Sequence, residues 1–329
     1  MGGDGGVEVT VPASIQALHK HSDLQLDLVG DQDLITFYTS DLPGRLSSRI
    51  RVIHSDQRIP EGKRPQSVLR ASRRSSLYLA VDLVKQREVG AMVSAGDTGA
   101  MLMIGRHLLK TLEGIKKPAI LATIPSSTEP CYLLDVGANP ECDSEQLFEF
   151  SVMGTVLAES LGRKDPRVGL LNIGSEQYKG SSAVLLAARA LEQCTDLNYI
   201  GFVEANELFD GAAEVVVCDG FVGNVTIKSS AGVANIISNL LEAATAASEH
   251  HPLSTSLSAQ LNPQRFNGAS LLGLQGSVVK SHGNATAEGF YYAIEQAIRE
   301  IDHAIPKLIG KRVARIMLSN QGLLTGARS

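Results

Sequence analysis

A short apolar run, a loop of small and polar residues and a stretch of helical periodicity follow one another in this chain, and this succession constrains the fold more than any other feature. Residues 215–217 are valines, a composition that predicts a buried strand. The Gly-containing loop 218–224 comes next, and apolar residues then recur at helical spacing from Ile227 to Leu241. The succession predicts a strand, a tight loop and a helix, the repeating unit of α/β proteins.

Four further loops of the same composition adjoin predicted strands or helices. They lie at residues 93–99, 133–139, 170–180 and 277–284. Open α/β sheets bind their ligands at the carboxyl ends of strands, and a helix N-terminus offers free N–H groups to an anion. If the sheet is parallel, all of these loops meet at one of its edges, and we expect the functional site there.

Length and composition are those of an ordinary cytoplasmic enzyme. The 329 residues can enclose a large core, and 43% of them are hydrophobic and 20% charged. A net charge of −5 provides no general attraction to nucleic acid, so no such partner is expected. The 4 cysteines lack metal-ligand spacing, which favours a reducing compartment. We expect neither a signal peptide nor a membrane-spanning helix, because no apolar run approaches roughly 18 residues.

Several kinds of active site lack their motifs in this sequence. It contains no GxSxG turn, no GxxxxGK[ST] loop, no complete GxGxxG after a first strand and no HExxH or His/Cys cluster. We therefore expect neither a metal nor another cofactor. The loops instead supply amides, hydroxyls, backbone N–H groups, Lys179 and His282, which suit the binding of a small anion and the stabilisation of an oxyanion.

Periodicity also predicts the elements between the loops. Helices are expected at residues 9–18, 33–37, 67–86, 144–161 and 181–191, and strands at 25–29, 49–53, 118–124, 168–173 and 198–203. The stretch 243–264 is rich in Ala, Ser and His and contains Pro252 and Pro263. It predicts a helical arm near 235–265 or a loop excursion over about 240–268.

Seven motifs occur in an order that is far more specific than any one of them. They are Met1-Gly-Gly-Asp4, Ser-Ala-Gly-Asp-Thr-Gly at 94–99, Leu-Asp-Val-Gly-Ala-Asn at 134–139, Leu-Asn-Ile-Gly at 171–174, Tyr-Ile-Gly-Phe-Val-Glu-Ala-Asn at 199–206, Cys-Asp-Gly-Phe-Val-Gly-Asn at 218–224 and Lys-Ser-His-Gly at 280–283. Together they resemble the PlsX family of bacterial phosphate acyltransferases, and the resemblance runs from residue 1 to about residue 305.

The resemblance implies an enzyme that reversibly transfers a fatty acyl group from acyl carrier protein to inorganic phosphate. The acyl phosphate then feeds glycerol-3-phosphate acylation in phospholipid synthesis. The implied fold is a Rossmann-like α/β/α sandwich over residues 1–329, similar to isocitrate and isopropylmalate dehydrogenases and to phosphotransacetylase. The implied protein is a cytoplasmic homodimer without a cofactor, in peripheral contact with the membrane, which hands its product to a glycerol-3-phosphate acyltransferase.

Three features depart from the family pattern. The family normally has a first strand before Met-Gly-Gly-Asp, and this chain lacks it. Asp97 stands where the family usually has Asn, which adds negative charge beside the expected phosphate site. The segment 248–261 has no aromatic residue and no Lys or Arg, and the first cation after it is Arg265, whereas many relatives have a longer basic, aromatic-rich insert. This last difference argues against membrane attachment at that segment.

Our hypothesis for the mechanism is direct attack of a phosphate oxygen on the thioester carbonyl. Lys179 would hold the phosphate, and Asn224 would donate to the phosphate or oxyanion or cap a helix. Asp219 would orient Lys179 or a backbone turn, and His282 would protonate the thiolate, bind phosphate or form a structural hydrogen bond. The predicted substrate-binding residues are Ser94, Gly96, Asp97, Thr98, Asp135, Asn139, Gly220, Gly223 and Gly283. For Asp135 the alternative is the cap of a turn.

Basic residues cluster before and within the first half of the helix predicted at 67–86. They are Lys63, Arg64, Arg70, Arg73 and Arg74. They form either a solvated helical face or a dock for the acidic carrier protein.

Three other functions compete with this hypothesis. An acyl-coenzyme A:phosphate transferase shares the chemistry and differs only in its donor. A metal- and NAD-dependent dehydrogenase of the same fold needs a cluster of acidic ligands, which is not clearly present in the sequence. A non-catalytic scaffold would recruit the next acyltransferase to the membrane.

Overall fold

The structure, a computed structural model, describes residues 2–59, 69, 72–247 and 263–319. Its first elements are α1 (Gly6–Lys20), β1 (Leu26–Gly30), α2 (Gln32–Thr39), α3 (Gly44–Ser47), β2 (Ile50–His54), α4 (Ser76–Gln86), β3 (Ala91–Ser94), α5 (Thr98–Leu109), β4 (Ala119–Ile124), β5 (Cys131–Leu134) and α6 (Ser144–Ser160). Next come β6 (Arg167–Leu171), α7 (Ser182–Glu192), β7 (Asn198–Val203), β8 (Val215–Val217), α8 (Gly220–Ala247), a 3-10 turn (Pro263–Phe266), β9 (Ala269–Leu272), β10 (Ser277–Lys280), α9 (Ala287–Asp302) and α10 (Ile305–Ser319).

Most of the predicted helices and strands are confirmed within a few residues, and one helix is corrected. Residues 72–75 are not helical, and α4 begins at Ser76 because the Ser75 hydroxyl accepts a hydrogen bond from the N–H of Tyr78 and caps it. The helix predicted from Ile227 continues to the end of α8. The remainder of the predicted excursion, residues 248–262, lies outside the described residues.

Over the described residues, the central sheet has eight strands in the order β3-β10-β9-β4-β5-β8-β6-β7, and β1 and β2 form a separate parallel pair. Strands β9 and β4 run antiparallel to their neighbours, so three antiparallel pairings separate β10 from β5. Strands β3 and β10 therefore run opposite to β5, β8, β6 and β7. The expectation that all the loops meet at one edge of a parallel sheet is wrong. The carboxyl ends of β3 and β10, with the loops that follow them, lie at one edge of the sheet, and the carboxyl ends of β5, β6 and β8 lie at the opposite edge.

The inner strands β4, β5 and β8 of the central sheet are buried on both faces, which explains their continuous apolar runs. Successive residues such as Leu133 and Leu134 enter different cores, because strand side chains alternate between faces. The core that contains Leu134 is closed by α6, α7 and α10, and the core that contains Leu133 by α4, α5 and Ile227 of α8. The protein thus has a mixed α/β fold in which helices pack on both sides of a central sheet.

A mostly apolar cavity of about 840 Å³ separates the β1–β2 pair from the central sheet. Within the described part of the chain β1 pairs only with β2 and β3 only with β10, and all residues of β1 and β3 line the cavity. Gly2 lies at its border beside the loop after β3. The two sheets are connected by packing of helices such as α4, which contacts both β1 and β3.

Glu300 of α9 is a buried carboxyl group, 2% exposed, that faces Ser270 of β9 and Ser277 of β10. Burial raises the pKa of Glu300 to about 7, and hydrogen bonds from neighbouring side chains act in the opposite direction. The pKa of an unfolded Glu is roughly 4.3. The neutral carboxyl group therefore favours the folded state at low pH, and this contribution is lost as the pH rises through about 7.

We expect Glu300→Gln to match the wild type in stability near pH 4 and to exceed it at pH 8 by on the order of 3 kcal/mol. Gln keeps the shape of the neutral carboxyl group and cannot ionise. Chemical denaturation of both proteins between pH 4 and 8 measures the difference. Stability curves that stay parallel over this range would show that Glu300 is not held neutral by burial.

Candidate active site

The loop that follows β5 is built around the side chain of Asp135. Its carboxylate accepts hydrogen bonds from the N–H groups of Ile120, Gly137, Ala138 and Asn139 at 2.7–3.1 Å and from the Asn139 amide at 2.9 Å. Burial raises the pKa of Asp135, and these donors, which favour the ionised form, oppose the rise. Because the side chain is fully enclosed, Asp135 positions the loop, and any contact with a substrate falls to the loop's own surface.

Two glycines allow α8 to lie directly against this loop. A Cβ at Gly223 would lie 1.8 Å from the carbonyl oxygen of Asp135, and one at Gly220 would lie 2.6 Å from that of Asn139. The Gly220 N–H donates to the Asn139 carbonyl at 2.7 Å, and the Asn139 amide donates to the Pro118 carbonyl at 2.8 Å. Gly220, Gly223 and Asn139 therefore set the position of the helix by close backbone contact.

The start of α8 carries two of the predicted catalytic residues. The Asp219 carboxylate accepts from the N–H of Val222 at 2.9 Å and caps the helix. The Asn224 amide donates to the carbonyl of Val136 at 3.1 Å, in the loop after β5. Asp219 was predicted to orient either Lys179 or a backbone turn, and in the structure it holds the turn. The helix cap that was considered for Asn224 is formed by Asp219.

Lys179 lies in the loop after β6, at the same edge as the start of α8. The Asn172 amide stabilises this loop by donating to the carbonyls of Gly174 and Lys179 at 3.1 and 2.9 Å. The Lys179 ammonium group forms an ion pair with Glu176 at 2.8 Å and lowers the pKa of that carboxyl, and 37% of the lysine side chain is exposed. In the described residues no hydrogen bond or ion pair joins Lys179 to another predicted catalytic residue.

At the opposite edge, the loop after β3 leads into α5. The Ser94 hydroxyl accepts from the N–H of Gly96 at 3.0 Å. The Asp97 carboxylate accepts from the N–H of Ala100 at 2.7 Å and is the N-cap of α5, whose first residue is Thr98. The positive end of the helix dipole favours a carboxylate at this position. The negative charge of Asp97, where the resemblance predicts Asn, thus has a structural partner.

The N-terminal segment joins this loop to the one after β10. Gly3, with a φ of +80°, lies against the carbonyl oxygen of Gly283, and the N–H of Asp4 donates to that carbonyl at 2.7 Å. The N–H of Ser281 donates to the carbonyl of Ser94 at 2.9 Å. The three segments therefore form one continuous surface at the ends of β3 and β10.

His282 belongs to this second surface. Its N–H donates to the side-chain oxygen of buried Asn267 at 3.0 Å, which holds the backbone of the loop. The imidazole is accessible to solvent, yet partial burial and the cationic Lys280 and Lys228 lower the pKa of His282. The ring is therefore neutral at pH 7 and able to accept a proton.

Lys228 of α8 is a residue that the sequence analysis did not single out. It follows Asn224 by four residues, a spacing that places both side chains on one face of a helix, about 6 Å apart along its axis. Asn224 is hydrogen-bonded to the loop after β5, and the charge of Lys228 lowers the pKa of His282 in the loop after β10. One face of α8 thus carries a residue bonded to the loop after β5 and a cation whose charge reaches the loop after β10, and the four-residue spacing was the available signal.

The predicted basic docking face is only partly described. Lys63 and Arg70 lie outside the described residues. Arg73 and Arg74 are exposed on the turn before α4, and Arg74 forms an ion pair with Asp56 at 3.2 Å. These two cations therefore lie on a turn and not on a helical face.

Comparison with solved structures identifies the class of fold. A phosphotransacetylase from Streptococcus pyogenes matches 91% of this chain and 92% of its own with a TM-score of 0.62 and 17% identity. The EutD phosphotransacetylase from Staphylococcus aureus matches 90% of both chains with a TM-score of 0.56 and 19% identity. At this identity the likeness establishes a shared mixed α/β fold.

Sequence comparison establishes the family. The model of the family described as fatty acid synthesis protein matches residues 1–308. A phosphate acyltransferase of Shewanella sp. (strain W3-18-1) is 45% identical over 97% of this chain and 96% of its own. A phosphate acyltransferase of Shewanella baltica (strain OS155 / ATCC BAA-1091) is 44% identical over the same shares. The chain belongs to the fatty acid synthesis protein family, that of the PlsX phosphate acyltransferases.

Proposed function

We propose that this protein reversibly transfers a fatty acyl group from acyl carrier protein to inorganic phosphate and so provides acyl phosphate for phospholipid synthesis. The observation that carries the proposal is the likeness, at 44–45% identity over 97% of the chain, to proteins named phosphate acyltransferase. The protein is an acyltransferase, and acyl transfer to phosphate requires an acyl carrier and phosphate as its substrates.

In the proposed reaction an oxygen of hydrogen phosphate attacks the carbonyl carbon of the thioester. The C–O bond forms, the C–S bond breaks, and the phosphate proton passes to the leaving thiolate. The neutral ring of His282 suits this transfer, because it can take the proton from phosphate and give it to sulfur. Lys179 holds the phosphate, and the second N–H of the Asn224 amide, besides the one bonded to Val136, donates to the oxyanion.

Backbone and hydroxyl groups complete the proposed substrate site. Ser94 is the last residue of β3, Gly96 and Thr98 flank the N-cap of α5, and Gly283 follows His282. Free N–H groups and the dipole at a helix start favour an anion. Residues that hold the loops in place, without facing the substrate themselves, are Asp97, Asp135, Asn139, Asp219, Gly220 and Gly223.

The experiment that tests the function compares two acyl donors with the purified protein and orthophosphate. Palmitoyl groups are supplied on carrier protein or on coenzyme A, and acyl phosphate is trapped as its hydroxamate. We expect product from the carrier-protein donor. Product from coenzyme A alone would favour an acyl-coenzyme A:phosphate transferase, and no product from either donor with folded protein would favour a scaffold.

We further propose that residues 1–329 form a single domain with a Rossmann-like α/β/α sandwich of the isocitrate and isopropylmalate dehydrogenase type, and that the protein is a homodimer. Helices on both faces of the central sheet support the first proposal. The proposed homodimer is supported by four apolar side chains of α8 that are 56–67% exposed, which are Phe221, Val233, Ile236 and Leu240. A monomer mass in analytical ultracentrifugation would contradict the dimer.

The remaining proposals concern partners and place. We propose that Arg73 and Arg74, with Lys63 and Arg70, dock the acidic carrier protein. An unchanged KM for the carrier after charge reversal of Arg73 and Arg74, the two described residues, would refute this.

None of the described helices is both long and apolar enough to cross a membrane. We propose a cytoplasmic protein in peripheral membrane contact that passes acyl phosphate to a glycerol-3-phosphate acyltransferase. Failure to float with anionic vesicles would exclude that contact.

A further inference from the structure

The orientation of α8 is set by contacts in its first two turns. Gly223 leaves no space between the helix and the carbonyl oxygen of Asp135, and the Asn224 amide is bonded to the loop after β5. Ile227 packs into the core that contains Leu133. These three residues point the helix face toward the sheet, and the next residue of the Asn224 row is Lys228.

The same helix approaches His282 from a second direction. α8 packs against the 3-10 turn Pro263–Phe266, and Asn267, directly after that turn, holds the backbone N–H of His282 through its side chain. Lys280, two residues before His282, extends from the end of β10 and donates to the Ser281 carbonyl. Among the described residues, the charged side chains that lower the pKa of the His282 ring are Lys280 from the end of β10 and Lys228 from α8.

Two ammonium groups beside a neutral imidazole form a site for an anion with two charges. Lys228 is exposed, so its ammonium group is open to a ligand from solvent. Resting on the function proposed above, we propose that Lys228, together with Lys280 and His282, binds the inorganic phosphate that attacks the thioester. Lys228 is thus a phosphate-binding residue that acts in addition to Lys179, and it places the phosphate proton next to the ring that accepts it.

The test replaces Lys228 with Met, which removes the charge and keeps most of the side-chain length. We expect Lys228→Met to raise the KM for phosphate about 10- to 100-fold, as for the loss of one charge-assisted contact, with the KM for the acyl donor within about twofold. Because Lys228 lowers the pKa of His282, the acid limb of the kcat/KM profile should move to higher pH. Lys228→Arg should retain most of the phosphate affinity.

The matched control is Lys85→Met, which removes an exposed lysine from α4 and should change neither KM nor the pH profile. A phosphate KM of Lys228→Met within twofold of wild type, with an unmoved pH profile, overturns the proposal. If wild-type protein forms no acyl phosphate, the proposed function fails, and titration with inorganic phosphate alone decides this inference. Binding that is lost in Lys228→Met supports it, and binding that is equal in both proteins or absent from wild type overturns it.

Discussion

Lys179→Ala is expected to lower the rate of acyl phosphate formation by about 10²- to 10³-fold, the usual effect of removing one donor that stabilises developing charge. The lysine lies in a loop held by the Asn172 side chain, so its backbone is fixed without it. Its ion pair with Glu176 is solvent-exposed and therefore weak, so the ammonium group can exchange Glu176 for phosphate at little cost. Steady-state kinetics with varied phosphate measures the effect.

Glu176→Gln is the matched control for this variant. It removes the ion pair and leaves the lysine charge in place, so activity should stay at or above that of wild type. Thermal unfolding of both variants should resemble wild type, because the Lys179 and Glu176 side chains are 37% and 45% exposed. Near-wild-type turnover in Lys179→Ala would remove this residue from the mechanism.

Gly223→Ala is expected to destabilise the protein by about 3 kcal/mol or more, because the new methyl group would lie 1.8 Å from a carbonyl oxygen. That oxygen belongs to Asp135, whose N–H is bonded to the Cys218 carbonyl at 3.0 Å and whose side chain holds the following loop. Neither backbone can yield without loss of these hydrogen bonds. The displaced helix would also carry Asn224 and Lys228 away from their positions, so activity should fall with stability.

Gly232→Ala in the same helix is the control for this substitution. A Cβ at Gly232 meets no atom within 4 Å, and Ala is favoured over Gly within a helix by about 0.5 to 1 kcal/mol. We therefore expect the control to be slightly more stable than wild type. The midpoint of thermal unfolding measures both effects, and a Gly223→Ala protein that melts with wild type would show that α8 does not start against the loop after β5.

Local sequence patterns were sufficient to predict most of the helices and strands and to indicate the family. The valines of β8 and the helical spacing after Gly220 predicted a strand, a turn and a helix that the structure contains. The cap of α6 by Asp143 is equally local, since the carboxylate and Gln146 bond within one helical turn. Such contacts depend on residues that are close in the chain, and their energies are therefore expressed in the sequence pattern.

The direction of the strands was not available from the same pattern. An apolar run is equally compatible with parallel and antiparallel pairing. The reversal of strand direction depends on the pairing of β4 with β9, whose residues are more than 100 positions apart in the chain. This reversal moved the loops after β3 and β10 to the edge opposite those after β5, β6 and β8.

The sequence by itself determined which loops carry polar and cationic groups, and only the tertiary structure decided which of these groups face one another. Asp135 was grouped with the substrate-binding residues, yet in the fold its carboxylate is enclosed by N–H groups of its own loop and of β4. Lys228 was not among the site residues predicted from the sequence, yet in the fold its charge is close enough to His282 to lower the pKa of that ring. Burial and electrostatic contact between distant segments arise from packing, and a linear pattern of residue types does not contain them.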